Sequence, residues 1–448
     1  MYDGGTSISP TIGADENATP TIAAGESFCV TVTAEEQAGA TTPNYGQETP
    51  AEGVLLTPTL IAAGGINNPA IVNSFTSFTS GVSTRADFNW PEVGIITLTP
   101  SVTDTDYLVT GDDVTGTVSA NVGRFTPFDF DASLNTPVFG PACGTFSYLD
   151  QPFQYSTQAI ITVTAREKAH ATTQNYQGSF FKLTQGSLTI PAGTIVNTGY
   201  RIFGTYTLDT TNIPAKPTVN DTSNGTGTIT FSLSGSGTTV VRGAPEAPFD
   251  AEISLEINII DGDSMIYRDN AGVDQNPAKF ADASAGFGIS SGGNKEQRWG
   301  RLFIGTAVGS ELLPLSVPFA TEYYNGTVFI PNIDDVAPIN GVPDLVLDNN
   351  IEVGETDGDI QICAAGGTST FTLANPTLIN GDGALSFSAS RVTCTGYSGI
   401  TLNLTTLGIN YLLYDWDGDS NFDNNPSGRV DFGLYEGPDE FIYIREPW

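Results

Sequence analysis

At 448 residues the chain is too long for a single hydrophobic core, and about two to four domains are expected. Its 50 acidic residues face only 16 basic ones, a formal net charge of -34, which repels phosphate backbones and anionic membranes and so argues against nucleic-acid binding. The 50 Gly and 27 Pro, scattered among short Val, Ile, Thr, Tyr and Phe runs, exclude a helical protein and point to sandwiches or barrels.

No leader-like segment opens the chain, and Met1 to Gly5 reads as the start of a fragment of something longer. No apolar stretch approaches the roughly 18 residues of a membrane span. Residues 30–46, VTVTAEEQAGATTPNYG, begin with Val30 and Val32 on one face, as a half-buried strand requires. The TT-x-NY stretch that follows reads as the turn out of that strand. Residues 161–177, ITVTAREKAHATTQNYQ, repeat the pattern, with Thr33 against Thr164, Ala34 against Ala165 and Tyr45 against Tyr176.

The repeat resumes at a larger offset. ITLTPSVTDTDYL (96–108) aligns with ISLEINIIDGDSM (253–265), bringing Asp104 and Asp106 opposite Asp261 and Asp263. The second copy therefore carries an insertion, of which the turn-rich 212–228 is expected to be part. A repeat of this length is a domain duplication. A weaker similarity links Gly123-Arg124-Phe125 to Gly300-Arg301-Leu302, each opening a strand-rich section. The polar, Gly/Ser/Ala-rich stretch between Asn270 and Arg298 reads as a linker. These observations place three domains at 1–122, 123–292 and 293–448. The fold class expected is all-β: tandem antiparallel β-sandwiches, Ig-like in the broad sense.

Cys29, Cys143, Cys363 and Cys394 permit three pairings, and one His in the chain leaves no zinc cluster. Two disulfides formed in an oxidising compartment are expected. Cys363 and Cys394 flank a Gly/Thr/Ser-rich strand pair and are assigned to each other, which leaves Cys29 with Cys143.

The sharpest local signal is Asp415-Trp-Asp417-Gly-Asp419-Ser-Asn421-Phe-Asp423, with an oxygen-bearing side chain at every second position. Calcium takes about six to eight oxygen ligands, and a DxDxD loop can wrap several around one ion. The EF-hand pattern fails, because its Gly and Glu positions hold Ser420 and Pro426. A looser calcium loop is expected, with Asp415, Asp417, Asp419, Asn421 and Asp423 as ligands. The bland alternative is a solvated acidic turn. The Asp104/Asp106 and Asp261/Asp263 pairs read first as turns.

Enzyme signatures are weak. Gly288-Ile-Ser290-Ser-Gly292 matches GxSxG but lacks the strand and helix of a nucleophile elbow, and its triad would need His170, whose counterpart in the first repeat is Gly39. The chain is therefore expected not to be an enzyme. Trp90, Trp299, Trp416, Tyr323 and Tyr324 are candidate sugar-stacking residues, with core packing as the plainer reading.

Three longer stretches carry a family resemblance: residues 122–183, beginning VGRFTPFDFDASLNTPVFGPACG; residues 299–329, WGRLFIGTAVGSELLPLSVPFATEYYNGTVF; and residues 411–448, YLLYDWDGDSNFDNNPSGRVDFGLYEGPDEFIYIREPW. Together, over roughly 121–448, they resemble the C-terminal region of the MSHA biogenesis family of the mannose-sensitive haemagglutinin type IV pilus. One departure is visible: the family tends to carry a Cys soon after its Asp-Asp pair, where Val-Ala-Pro follows Asp334-Asp335 here. The resemblance implies a secreted or surface-exposed protein concerned with pili, attachment or envelope assembly. The reading that follows is an extracellular structural or adhesive component whose partners are other subunits of an appendage, or a glycan or host surface. A secreted carbohydrate-binding or carbohydrate-active protein is the alternative.

Overall fold

In the computed structural model, residues 13–194, 198–280, 296–336, 378–389 and 395–433 are described in full, and the backbone also at 2–3, 6–7, 345–348, 359–363 and 367–373. Among these residues there is no α-helix, only three short 3-10 turns between strands. No helix is long and apolar enough to cross a membrane. The chain is all-β, built as three successive units, each packing two sheets around one core.

In the N-terminal unit, Phe28–Thr33 pairs with Val82–Phe88, and the facing sheet runs Ile22–Ala23, Val122–Thr126, Gly94–Val102, Val54–Ala62, Ser74–Phe75. Alternating side chains from both sheets fill the core: Phe28 and Phe88 from one, Leu56, Ile96, Leu98 and Phe125 from the other. In the middle unit, Asp129–Leu134, Ala159–Arg166, Thr226–Phe231 and Thr218–Ser223 face Tyr200–Ile202, Ile253–Ile257 and Ala278–Phe280. In the C-terminal unit, the sheet containing Gly300–Ile304, Leu315–Tyr324 and Asp382–Phe387 faces Thr306–Gly309, Ser427–Phe432, Gly396–Leu402 and Leu345–Asp348. One core joins Leu302, Phe319 and Phe387 to Ile400 and Phe432, so this section is a single sandwich.

Among the described residues, three short ladders between strands are parallel. Ile22–Ala23 runs parallel to Val122–Thr126, Phe146–Tyr148 to Glu296–Arg298, and Thr306–Gly309 to Ser427–Phe432. In the outer units, the short strand before the main hairpin crosses to the opposite sheet and joins its last strand. Val122–Thr126 pairs with Gly94–Val102, so residues just past the expected boundary at 122 still belong to the first unit.

The duplication is visible bond by bond. Ala34 N–H donates to Gly81 O, and Ala165 N–H to Gly225 O, both at 2.8 Å. Thr42 N–H returns to Ala34 O and Thr173 N–H to Ala165 O; Tyr45 N–H then reaches Thr42 O, and Tyr176 N–H Thr173 O. His170 has φ 69, in the left-handed region where its counterpart Gly39 has φ 83. Asp106 N–H bonds to Asp104 Oδ1 as Asp263 N–H does to Asp261 Oδ1. The stretch 212–228 is more than inserted loop, because Thr218–Ser223 and Thr226–Phe231 form a hairpin within the sheet.

A third copy of the motif lies in the C-terminal unit. Thr321 N–H donates to Gly381 O at 2.9 Å, Asn332 N–H to Thr321 O at 2.8 Å, and Asp335 N–H to Asn332 O at 3.0 Å. The turn glycines Gly81, Gly225 and Gly381 share φ of 77, 79 and 80. A Cβ on each would stand 2.4, 2.1 or 2.5 Å from the oxygen of Thr42, Thr173 or Asn332, so only glycine fits.

Cys29 and Cys143 are buried with free thiols, which corrects the expected Cys29–Cys143 bond. Cys29 lies in the N-terminal unit's Phe28–Thr33 strand, whereas Cys143 packs in the C-terminal core and is hydrogen-bonded to Gln151 Nε2 at 3.1 Å. The Cys363–Cys394 assignment and Ser290 of the GxSxG match lie outside the residues whose side chains are described.

Candidate functional site

The acidic loop leaves the C-terminal core after Leu412 and is closed by the Tyr414–Asn424 backbone bridge. Within it Asp415, Asp417 and Asp419 each cap backbone ahead of themselves. Asp415 Oδ1 accepts from Gly418 N–H at 2.7 Å, and its Oδ2 from Ser420 N–H at 3.1 Å. Asp417 accepts from Asp419 N–H and from the Asn424 side chain, both at 3.3 Å. Gly418 and Ser420 take positive φ of 78 and 72 to make these turns. Carboxylate oxygens of Asp415, Asp417 and Asp419 come within 4.8 Å of one another, the last two exposed.

Of the five residues anticipated from sequence, three bring their carboxylates together. Asn421 turns its amide to Asp419 Oδ2 at 2.8 Å, with its N–H on Oδ1, and Asp423 stands outside the cluster. The two bonds from Asn421 hold the Asp419 carboxyl below its ordinary range.

Beneath the loop lies a layered cluster of rings and guanidiniums that no local sequence pattern announces. Trp299, fully buried, meets Phe422 at 4.9 Å, Phe329 at 5.6 Å and Tyr414 at 5.7 Å. Arg242, from the middle unit, lies 3.6 Å over the Trp299 ring, while Trp299 Nε1–H donates to Gly243 O at 2.8 Å. Arg242 also donates to the carbonyls of Tyr411 and Gly300. Burial pushes its guanidinium down to about 10. Arg301, paired with Glu322 at 2.7 Å, covers Phe329, Tyr414 and Trp416. The acidic loop is thus anchored to the joint between the middle and C-terminal units.

Of the sugar-stacking candidates, Trp90 and Trp299 are core residues at 0% exposure. Tyr323 is partly covered, with Arg298 4.6 Å over its ring. Trp416 is 36% exposed beside Phe303 at 42%, their rings 6.3 Å apart, which forms an aromatic ledge next to the aspartates.

The other repeat aspartates serve structure. Asp263 grips the buried Arg124 of the N-terminal unit through both oxygens, and Arg124 Nε–H donates to Ala18 O. Asp261, 4% exposed, accepts from Tyr176 OH and from the N–H groups of Asp263 and Met265. Burial raises its pKa to about 6. A raised folded pKa contributes stability below the unfolded value of 3.8 that is lost as pH climbs through about 6. Asp261→Asn is therefore expected to flatten the pH dependence of thermal unfolding between pH 4 and 7, removing up to about 3 kcal/mol of it; an unchanged slope would contradict this assignment. Glu92, at 0% exposure, ties the same joint by accepting from Asn67 Nδ2, Gln174 N–H, Asn175 N–H and Val93 N–H.

Three family models match the chain in order: DUF6701 second domain over residues 5–89, third domain over 92–288 and fourth domain over 298–447. The strand Gly94–Val102, inside the third-domain match, pairs along its length with Val54–Ala62 of the second, so the folded units interlock across the matched segments. No curated protein and no solved structure matches the chain. Since the three matches leave only a few residues uncovered, the chain belongs to the DUF6701 family, of which it carries the second, third and fourth domains.

Proposed function

We propose that this chain is an extracellular structural or adhesive component of a bacterial pilus or other surface appendage, acting by binding and assembly without catalysis. The observation that carries the reading is the construction of the chain from three copies of one sandwich. These copies are joined by buried polar contacts, Arg124–Asp263 and Glu92 at the first joint, Arg242–Trp299 at the second. Tandem units provide reach and display, and the acidic composition suits an exposed position. The resemblance to a pilus-biogenesis family points the same way. Labelling intact cells with an antibody or an added protease tests the location: accessibility before lysis is expected, and accessibility only after lysis overturns the reading.

Calcium is the ion proposed for the acidic loop, held by Asp415, Asp417 and Asp419 with water completing the shell. Three carboxylates facing one point repel one another unless a cation or protons intervene. Extracellular modules bind calcium at about 10⁻⁴ to 10⁻³ M. Millimolar calcium is expected to raise the melting temperature of the parent and not of Asp417→Ala/Asp419→Ala. Indistinguishable curves with calcium and chelator in the parent would remove the ion. The second reading, a carbohydrate-binding protein, is favoured by the exposed Trp416–Phe303 ledge, and a glycan array tests it with Trp416→Ala as the comparison.

A further inference from the structure

Cys143 shares its place in the C-terminal core with a second reactive group. Its Sγ lies 3.1 Å from Gln151 Nε2 and 3.4 Å from Gln151 Oε1, so the thiol rests against the side-chain carboxamide. The two residues bracket the short strand Phe146–Tyr148, and the backbone turns at both ends of it to bring them together. Cys143 N–H donates to Phe146 O at 2.9 Å, and Gln151 N–H to Tyr148 O at 3.0 Å. Cys143 is 4% exposed and Gln151 7%, so the pair is shielded from water.

The carboxamide is fixed from both sides. Its Oε1 accepts from Tyr148 N–H at 3.0 Å, and its Nε2 donates to Tyr411 OH at 3.1 Å. Tyr411 is stacked on Tyr148 with ring centroids 5.7 Å apart, and Tyr148 OH is tied to Asp335 Oδ2 at 2.7 Å. These are the parts of an acyl-transfer site. There is a thiol nucleophile, a carbonyl carbon beside it, a backbone N–H on the oxygen where negative charge develops, and a hydroxyl on the nitrogen that leaves.

We propose that Cys143 and Gln151 join in an internal thioester, a latent electrophile for primary amines. Sγ moves from the edge of the carboxamide onto its carbon and bonds to Cδ. The Cδ–Nε2 bond breaks, and the thiol proton departs with the nitrogen as ammonia, so no oxidant or co-reactant is needed. Burial, with Asp335 close by, pushes the thiol up to about 12. The sulfur therefore keeps its proton until the attack, with Nε2 in reach to receive it. The same burial keeps water from hydrolysing the product. An amine that reaches the bond takes the acyl group as an amide on Gln151 and returns the Cys143 thiol. The residues react once, without turnover. The inference rests on the binding reading given above for its purpose, to which it adds a covalent mode of attachment.

The test is mass spectrometry on the folded full chain. Cleavage after Arg124 and Arg166 releases residues 125–166 as one peptide that holds both partners. That peptide is expected to be lighter than its sequence by one ammonia, with Cys143 closed to alkylation in denaturant. Methylamine added with the denaturant is expected to appear on Gln151 and to free the thiol. Gln151→Glu has no ammonia to lose and is expected at its full mass with a free thiol. Tyr411→Phe keeps the stacked ring and is expected to form the bond severalfold more slowly, with little change in melting temperature. A parent peptide of full mass with Cys143 open to alkylation overturns the proposal. So does a lost ammonia with Cys143 still open, which would mean a cyclised asparagine, or a Cys143 released only by reductant, which would mean a disulfide. None of these results bears on cell-surface location, so failure here is distinguishable from failure of the broader reading.

Discussion

Trp299→Ala is expected to cost about 3–5 kcal/mol, the range for deleting a large ring from a packed core, and to loosen the joint between the middle and C-terminal units. Trp299 is fully buried and touches Phe329, Tyr414 and Phe422, while carrying the Arg242 guanidinium 3.6 Å above its face. Removing the ring therefore takes away dispersion contacts, the cation–π attraction and the bond to Gly243 O together. Arg242 keeps its two carbonyl acceptors but loses the surface that shields it. Trp299→Phe retains most of the apolar contact and is expected to cost less than half as much. Thermal unfolding with limited proteolysis near residue 299 checks both. An alanine variant with the parent's melting profile would show that the joint is not held here.

Arg166→Ala is expected to destabilise the middle unit by a comparable amount, about 3–5 kcal/mol, because it leaves a buried charge without its partner. Asp129 is 0% exposed, and its Oδ1 accepts from Arg166 Nε–H at 2.8 Å. Its Oδ2 has no hydrogen-bond partner among the described residues. The same guanidinium reaches Asn270 Oδ1 at 2.6 Å and Arg268 O at 3.0 Å, so one side chain closes a strand, a charge and a loop. The double variant Asp129→Asn with Arg166→Met removes both charges and is expected to recover much of the loss. Urea denaturation of the three proteins measures it. A single variant as stable as the parent would contradict this assignment.

How far the sequence foretold these features depends on whether their physics is local. Alternation at Val30 and Val32, or at Ile161 and Val163, is a local consequence of the pleat and was readable. The first duplication showed because Ala, Thr and Tyr recur at matching positions. The third copy was invisible: Thr321, Asn332 and Asp335 replace those residues, and the shared element is a set of backbone hydrogen bonds that many side chains permit. The acidic loop announced itself by spacing, but spacing does not say which way Asn421 turns or that the carboxylates of Asp415, Asp417 and Asp419 group together. Arg242 and Trp299 are 57 positions apart by their numbering, and nothing near either one points to the other. The expected Cys29–Cys143 pair failed for a similar reason, since counting cysteines does not show that Cys143 packs in the C-terminal core while Cys29 sits in an N-terminal strand.

Surface attachment and appendage assembly measured side by side test the central claim most directly, in cells with the intact gene, with a deletion, and with Asp417→Ala/Asp419→Ala. The account predicts that the deletion impairs at least one of the two, and that the double variant impairs it partially. Unchanged attachment and assembly in the deletion, with the purified protein turning over a glycan, would contradict the account in favour of a carbohydrate-active enzyme.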